Sequence, residues 1–133
     1  MSRTLFEQTP TMDVSWDDGH GIVWAVPTTP THDGLQARQN VDAIARLRDH
    51  HGFKMVRVLV DLRRVRGIDR DARVMYAGAY TASVQRATAL LTGSVASRVI
   101  ASFFLGLSKP MSPTRMFDDV DEAIGWLAEH PDE

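Results

Sequence analysis

The segment from Val58 to Ala72 constrains the fold of this chain most, because it joins a buried strand to a helix through a short polar loop. It reads VLVDLRRVRGIDRDA: an apolar run, a loop rich in Arg and Asp, and a helix start at Asp69, whose side chain is suited to capping. Such strand–loop–helix junctions belong to α/β domains, which usually place a ligand or partner site at this edge of the sheet. The segment therefore predicts both the fold class and the position of a site.

Length and charge limit the remaining choices. We expect residues 1–133 to form one domain with a single core, frayed at 1–10 and 129–133. The chain has no Cys, and its net charge of -2 gives no general attraction to nucleic acid or anionic membranes. No apolar run approaches the roughly 18 residues that suggest a membrane span, and the first residues lack the apolar core of a signal peptide. We therefore expect a cytoplasmic protein that does not bind nucleic acid.

The N-terminal half contains clear local signals. Period-two alternation predicts a β-hairpin from strands over 12–16 and 22–26. Asp33 and Gln36 form a capping-box pattern for a helix, and Gly52 is suited to end it. These signals predict a hairpin followed by a long helix.

The C-terminal half continues the alternation of strands and helices. Met55–Leu62 predicts a central strand, Asp69 starts a helix expected to continue to Leu90, and 99–105 predicts a third core strand. The last expected elements are a loop over 106–114, an edge strand over 115–117 and a helix capped by Asp119. The fold class is therefore α/β: a mixed sheet with an N-terminal hairpin and about three main helices.

The junction also resembles a known signature. From Asp61 to Ala72 the sequence DLRRVRGIDRDA resembles the DLSGVxxIDSSG pattern of STAS domains, the SpoIIAA-like fold of anti-sigma-factor antagonists. The C-terminal third, from Phe103 to Leu127, is similar to small uncharacterised bacterial STAS-like proteins. The resemblance implies a single STAS-like domain that acts as a regulatory protein-interaction module.

The chain departs from that pattern where STAS antagonists are regulated. Their helix begins with a serine pair that carries the regulatory phosphorylation, and Arg70 and Asp71 occupy those two places here. We expect both residues to be exposed in the first helical turn, with Asp71 near the positive end of the helix dipole. Two interpretations stay open: simple helix capping, or a permanently charged partner surface.

Five arginines in eleven residues make this junction the candidate binding surface. Guanidinium groups fit carboxylate and phosphate, so an acidic protein or a small anion is the expected partner, while plain solvation of the arginines is the alternative. The predicted partner-binding residues are Arg63, Arg64, Arg66, Asp69, Arg70, Asp71 and Arg73.

Catalysis is not predicted, because the sequence contains no GxSxG elbow, Walker loop or HExxH motif. No cofactor or metal is expected either, since His50 and His51 suit a helix C-terminus better than a metal site. The sequence thus favours a non-catalytic module.

Two further expectations concern apolar residues. The alternative function is a small-ligand or lipid-binding domain, because STAS folds resemble CRAL-TRIO lipid-transfer domains in architecture. Its apolar pocket would be lined by Trp16, Trp24, Phe103 and Phe104. A symmetric homodimer is expected to form through the hairpin edge and the apolar loop that contains Leu107 and Met111.

Overall fold

The structure is a computed structural model that describes residues 3–130. A six-stranded mixed sheet forms its centre. The first three strands are antiparallel and the later ones are parallel to their neighbours. In their order across the sheet, the strands are β1 (Arg3–Gln8), β2 (Met12–Asp17), β3 (Ile22–Pro27), β5 (Val56–Asp61), β7 (Gln85–Leu91) and β8 (Thr114–Phe117). Two short strands, β4 (Thr31–His32) and β6 (Gly67–Ile68), pair separately.

The helices cover both faces of this sheet. They are α1 (Gly34–His51), α2 (Arg70–Ala77), α3 (Ala79–Val84), α4 (Val95–Phe103) with a π-helical turn over Phe104–Ser108, and α5 (Val120–Ala128). Alternate residues of each central strand point to opposite faces. Val23 and Val58 therefore pack under α1, whereas Trp24 and Leu59 pack under α5. A third cluster, under α2 and α4, includes Leu62, Leu90 and Phe104.

Local signals account for the elements predicted correctly. The hairpin of β2 and β3 and the strands β5 and β8 lie where the sequence places them. The Asp33 side chain accepts from the Gln36 backbone N–H at 2.8 Å, and the Gln36 side chain accepts from the Asp33 backbone N–H at 2.9 Å. Gly52 ends α1 at φ 75°, a left-handed conformation that favours glycine. The capping box therefore begins α1 as predicted.

Two predictions for the C-terminal half are wrong. The helix expected to run to Leu90 stops at Val84, and residues 85–91 form β7 in the middle of the parallel strands. Residues 99–105, expected to be a core strand, lie in α4 and its π-helical turn. Ala-rich β7 is a strand because β5 and β8 pair with both of its edges, which overrides local preference. A short apolar run such as 99–105 does not distinguish a strand from a buried helix segment.

The chain ends also differ from expectation. Residues 3–8 form β1, which pairs with β2, so the expectation of a frayed N-terminus is wrong for them. The same pairing covers the hairpin edge that was expected to form a dimer contact. Near the C-terminus, the backbone N–H groups of Glu129 and His130 donate to carbonyls in the last turn of α5. Residues 1–2 and 131–133 lie outside the described residues.

Candidate functional site

The loop between β5 and β6 is fixed by buried anchors. Leu62 and Val65 are buried, and the Val65 N–H donates to the Leu62 carbonyl at 3.0 Å. The N–H groups of Arg66 and Gly67 both donate to the carbonyl of Pro30, at 2.7 and 3.2 Å. With Leu62 and Val65 facing inward, the residues between and after them face solvent. The exposed residues of this loop are Arg63, Arg64 and Arg66.

Arg63 is engaged within the chain. Its guanidinium forms a two-pronged ion pair with Asp61, at 2.9 and 2.8 Å. Burial by itself would raise the pKa of Asp61, but the hydrogen bonds from Arg63 outweigh it and the pKa lies below its usual value. The stem of Arg63 lies against Gly93, where an added Cβ would approach it to 3.0 Å. Arg63 therefore ties the loop to β5 and to the residues just before α4.

At the start of α2, the side chains of Asp69 and Arg73 hydrogen-bond to the backbone, whereas Arg70 and Asp71 are exposed. Asp69 caps the helix by accepting from the Ala72 N–H at 2.8 Å, and the Arg73 guanidinium donates to the Ile68 carbonyl at 3.2 Å. Arg70 and Asp71 are exposed in the first turn, as predicted. Asp71 also packs against the first residue of α1, because an added Cβ on Gly34 would lie 2.8 Å from the Asp71 Cβ.

Three arginines of the segment are left with available side chains. Within residues 3–130, the side chains of Arg64, Arg66 and Arg70 make no hydrogen bond and no ion pair. Their backbone is nevertheless ordered by the anchors and the helix cap described above. The predicted binding residues are thus brought together on one edge, but Arg63, Asp69 and Arg73 use their side chains to hold that edge in place.

An apolar surface that the sequence analysis missed lies on α4 and its π-helical turn. Four apolar side chains at steps of four residues point to solvent: Val95, Val99, Phe103 and Leu107 are 71%, 54%, 55% and 64% exposed. The opposite side of α4 supplies Ala101 to the core, and Phe104 follows it there. The sequence predicts a core strand over 99–105, so it does not predict an exposed apolar face on α4.

The apolar surface adjoins the arginine segment at both ends of α4. Gly93, just before α4, contacts Arg63. At the other end, a groove runs between α2 and the π-helical turn; it is lined by residues that include Arg70, Arg73, Val74, Leu107, Lys109 and Met111.

A sequence signal for this surface exists in the distribution of charge. The chain has 17 Asp and Glu residues, but none lies between Ala72 and Phe117, while five Lys or Arg residues do. This interval contains the whole of α4 and most of the groove. Charge counted over the whole chain conceals this asymmetry.

A cavity of about 60 Å³ lies between the sheet and the helices on one of its faces, with lining residues from α1, α2, α3 and α4. Its walls are mostly apolar and include Val60, Leu90, Ile100 and Phe104. The pocket expected from the sequence is therefore lined by Phe104 but not by the other three aromatics. Phe103 faces solvent, Trp24 packs on the α5 face with its indole N–H donating to Asp17, and Trp16 packs beside Phe53.

Polar residues beside the cavity form a buried network. The Asn40 amide donates to the Tyr76 hydroxyl at 2.9 Å, and that hydroxyl lies 2.8 Å from Nδ1 of His32. Nε2 of the buried His32 has no hydrogen-bond partner within the described chain. Burial lowers the pKa of His32, although the Thr11 backbone and Asp33 oppose that effect, and burial raises the pKa of Tyr76. Both shifts favour the neutral form of the side chain.

Comparison with known proteins places this geometry in a family. The sequence model described as Domain of unknown function (DUF7793) matches residues 20–131. The chain belongs to this family. The matched part of the DUF7793 chain includes α1 to α5, the arginine segment and all the residues that line the cavity except Met12. No curated protein matches the chain.

A solved structure resembles this DUF7793 protein over nearly its whole length. It is an uncharacterised protein from the DUF3478 family with a SpoIIAA-like fold, from Shewanella loihica PV-4. The two share 9% sequence identity, the alignment covers 96% of each chain, and the TM-score is 0.60. At this identity the similarity shows the fold alone: the DUF7793 chain has the SpoIIAA-like fold, as the STAS resemblance predicted.

The described residues can be searched for a membrane-spanning helix and for a metal site. None of the helices in residues 3–130 is long and apolar enough to cross a membrane. Over the same residues, no group of three or more His, Cys, Asp or Glu side chains is arranged to hold a metal ion. His50 and His51 instead lie in the last turn of α1, where the His51 ring stacks on Phe53.

Proposed function

We propose that this chain is a non-catalytic protein-interaction module that recognises an acidic partner through the arginine segment, residues 63–73. The observation that carries the proposal is the state of Arg64, Arg66 and Arg70. They are exposed on ordered backbone and form no ion pair within residues 3–130. Guanidinium groups in this state are available to the carboxylates of another protein, which they bind with two parallel hydrogen bonds.

The residues at the start of α2 give this proposal a regulatory aspect. Arg70 and Asp71 stand where STAS antagonists carry their serine pair, so kinases that act on those serines would find no hydroxyl to phosphorylate. The charge of the surface is then permanent, and binding is controlled by the partner's abundance. We expect this to occur in the cytoplasm, where a chain without Cys is unaffected by reducing conditions.

A protein partner suits the segment better than nucleic acid. Asp69 and Asp71 lie among the arginines, and the loop has no aromatic side chain on which a base would stack. The whole chain also carries a net charge of -2, which disfavours the long phosphate backbone of nucleic acid.

Charge reversal at Arg66 tests the proposed function. The wild type and the Arg66→Glu variant are immobilised, exposed to an extract of the source organism, and compared by quantitative mass spectrometry. Lys54→Glu is the matched control, because Lys54 is also exposed and its reversal changes the net charge equally. We expect Arg66→Glu to reduce recovery of a salt-sensitive partner about tenfold, and Lys54→Glu to retain it. Equal recovery by the two variants would contradict the proposal.

A second candidate function is the binding of a small molecule in the internal cavity. Its support is the combination of apolar walls with His32, whose Nε2 lacks a hydrogen-bond partner in the described chain. At about 60 Å³ the cavity exceeds the volume of a water, whereas benzene occupies engineered cavities of about 150 Å³. A lipid chain would therefore require the helices to separate. NMR titration with small fragments tests this function: shifts at Leu90 that disappear when Ile100→Phe fills the cavity support it, and shifts confined to surface grooves contradict it.

A further inference from the structure

We propose that α4 and the adjoining groove are the anchor site for an acidic amphipathic segment of a partner protein. The inference rests on the proposed function and adds the chemistry of the partner. Apolar side chains of the segment would cover Val99, Phe103 and Leu107, and its carboxylates would meet the surrounding cations.

The first argument is that the outward apolar residues of α4 are not required for packing. Single exposed apolar residues are normal on protein surfaces, but a contiguous apolar patch marks an interaction site. Here four such residues follow one another along a helix, and Val74 and Met111, 58% and 68% exposed, extend the patch across the groove. The core is filled from the other side of the same helix by Ala101 and Phe104.

The second argument is charge. Arg98 lies among Val95, Val99 and Phe103 on the exposed face of α4, and Arg70, Arg73 and Lys109 line the groove. Asp69 and Asp71 flank Arg70, but the interval from Ala72 to Phe117, which holds Arg73, Arg98 and Lys109, contains no carboxylate. An occupant with alternating apolar and acidic side chains is complementary to both features, and complementary charge determines partner choice and association rate.

The third argument concerns alternative occupants. A symmetric dimer places the same patch of both copies face to face, so cations of one copy, such as Arg98 and Lys109, would approach cations of the other. Like charges at such an interface are unfavourable. The groove is concave, so it suits inserted side chains better than a flat membrane surface. From Val95 to Leu107 the patch extends about 18 Å at the helical rise, which exceeds the roughly 10 Å that anchors at i, i+4 and i+7 of a bound helix span.

The test begins with an unbiased library of random 16-residue peptides displayed on phage and selected on the full-length protein. Enriched peptides are synthesised, and their affinities for variants are measured by fluorescence anisotropy. We expect enriched peptides to combine Asp or Glu with Leu, Ile or Phe at helical spacing. Phe103→Ser and Val99→Ser should each weaken binding at least tenfold. The matched control is Leu35→Ser, since Leu35 is 71% exposed on α1.

Several outcomes overturn this inference. These are enrichment of no peptide, enrichment of peptides without acidic residues, and equal affinity for Phe103→Ser and Leu35→Ser. Phe103-dependent sedimentation with phosphatidylglycerol vesicles would assign the surface to a membrane, and a Phe103-dependent dimer mass by light scattering would assign it to a second copy. If Arg66→Glu abolishes natural partner capture but Phe103→Ser does not, the proposed function stands and the anchor site is rejected. If neither variant affects capture, both are rejected.

Discussion

Helices α1 and α4 use apolar residues in opposite ways. Both begin with capping boxes, Asp33 with Gln36 in α1 and Ser94 with Ser97 in α4. Helix α1 buries seven residues against β2, β3 and β5, and its outward face carries charged groups such as Arg38 and Arg46. Helix α4 buries only Ser97 and Ala101 along its length, while Val99 and Phe103 face solvent. Apolar residues in α1 therefore serve the core, whereas those of α4 exceed what the core uses.

The first prediction compares the inward sides of these two regions, where the largest effects are expected. Leu47 of α1 is fully buried, and Phe104 forms a wall of the cavity after α4. Leu47→Ala should lower the free energy of unfolding by about 2–5 kcal/mol, and Phe104→Ala by about 3–5 kcal/mol, because each leaves a void. Urea unfolding measures both. A loss below about 1 kcal/mol for Phe104→Ala would show that α4 is not packed as described.

The second prediction compares the space around one glycine in each region, Gly34 in α1 and Gly106 in the π-helical turn after α4. An added Cβ on Gly34 of α1 would lie 2.8 Å from the Asp71 Cβ, whereas nothing lies within 4 Å of a Cβ on Gly106 in the π-helical turn. Gly34→Ala should therefore destabilise the protein by about 1–3 kcal/mol through overpacking, although Ala generally favours helices. Gly106→Ala should change stability by less than about 1 kcal/mol. Thermal unfolding of both variants compares them, and stabilisation by Gly34→Ala would contradict the contact between α1 and α2.

The same comparison explains which parts of the fold the sequence could predict. The start and end of α1 are encoded locally, by Asp33, Gln36 and Gly52. By contrast, local signals do not determine that β7 is a strand or that α4 is a helix. Ala87 and Ala89 suit a helix by local preference, and β7 becomes a strand only through pairing with β5 and β8. The apolar run over 99–105 is only seven residues long, and so short a run does not distinguish a helix from a buried strand.

The candidate site was predictable to a similar extent. The strand–loop–helix junction and the exposure of Arg70 and Asp71 follow from the buried strand and the Asp69 cap, which are local features. The contacts that occupy Arg63 and Arg73 depend on a loop conformation that spacing alone does not specify. The outward face of α4 was not predicted, because a core strand over 99–105 would have no exposed face. Its adjacency to the arginines is a tertiary property.

The smallest expected effect on stability is at Phe103, and it is the most decisive for the comparison. Phe103 and Phe104 are chain neighbours of identical chemistry, but one faces solvent and the other the core. Phe103→Ala should therefore change the free energy of unfolding by no more than about 0.5 kcal/mol, the range of ordinary surface substitutions. It should also raise solubility, because it reduces an exposed apolar patch. The control is Leu35→Ala on α1, which should be equally neutral.

Urea unfolding of Phe103→Ala and Phe104→Ala under the same conditions checks this prediction. The two variants remove the same side chain, so a difference in the free energy of unfolding reflects its surroundings. Similar losses for the two variants would mean that Phe103 is covered by the chain itself, and the outward face of α4 would then belong to the core. A neutral Phe103→Ala, together with a costly Phe104→Ala, leaves the exposed ring without a role in folding. The energetic difference between two adjacent phenylalanines thus separates the part of α4 that maintains the fold from the part available to a partner.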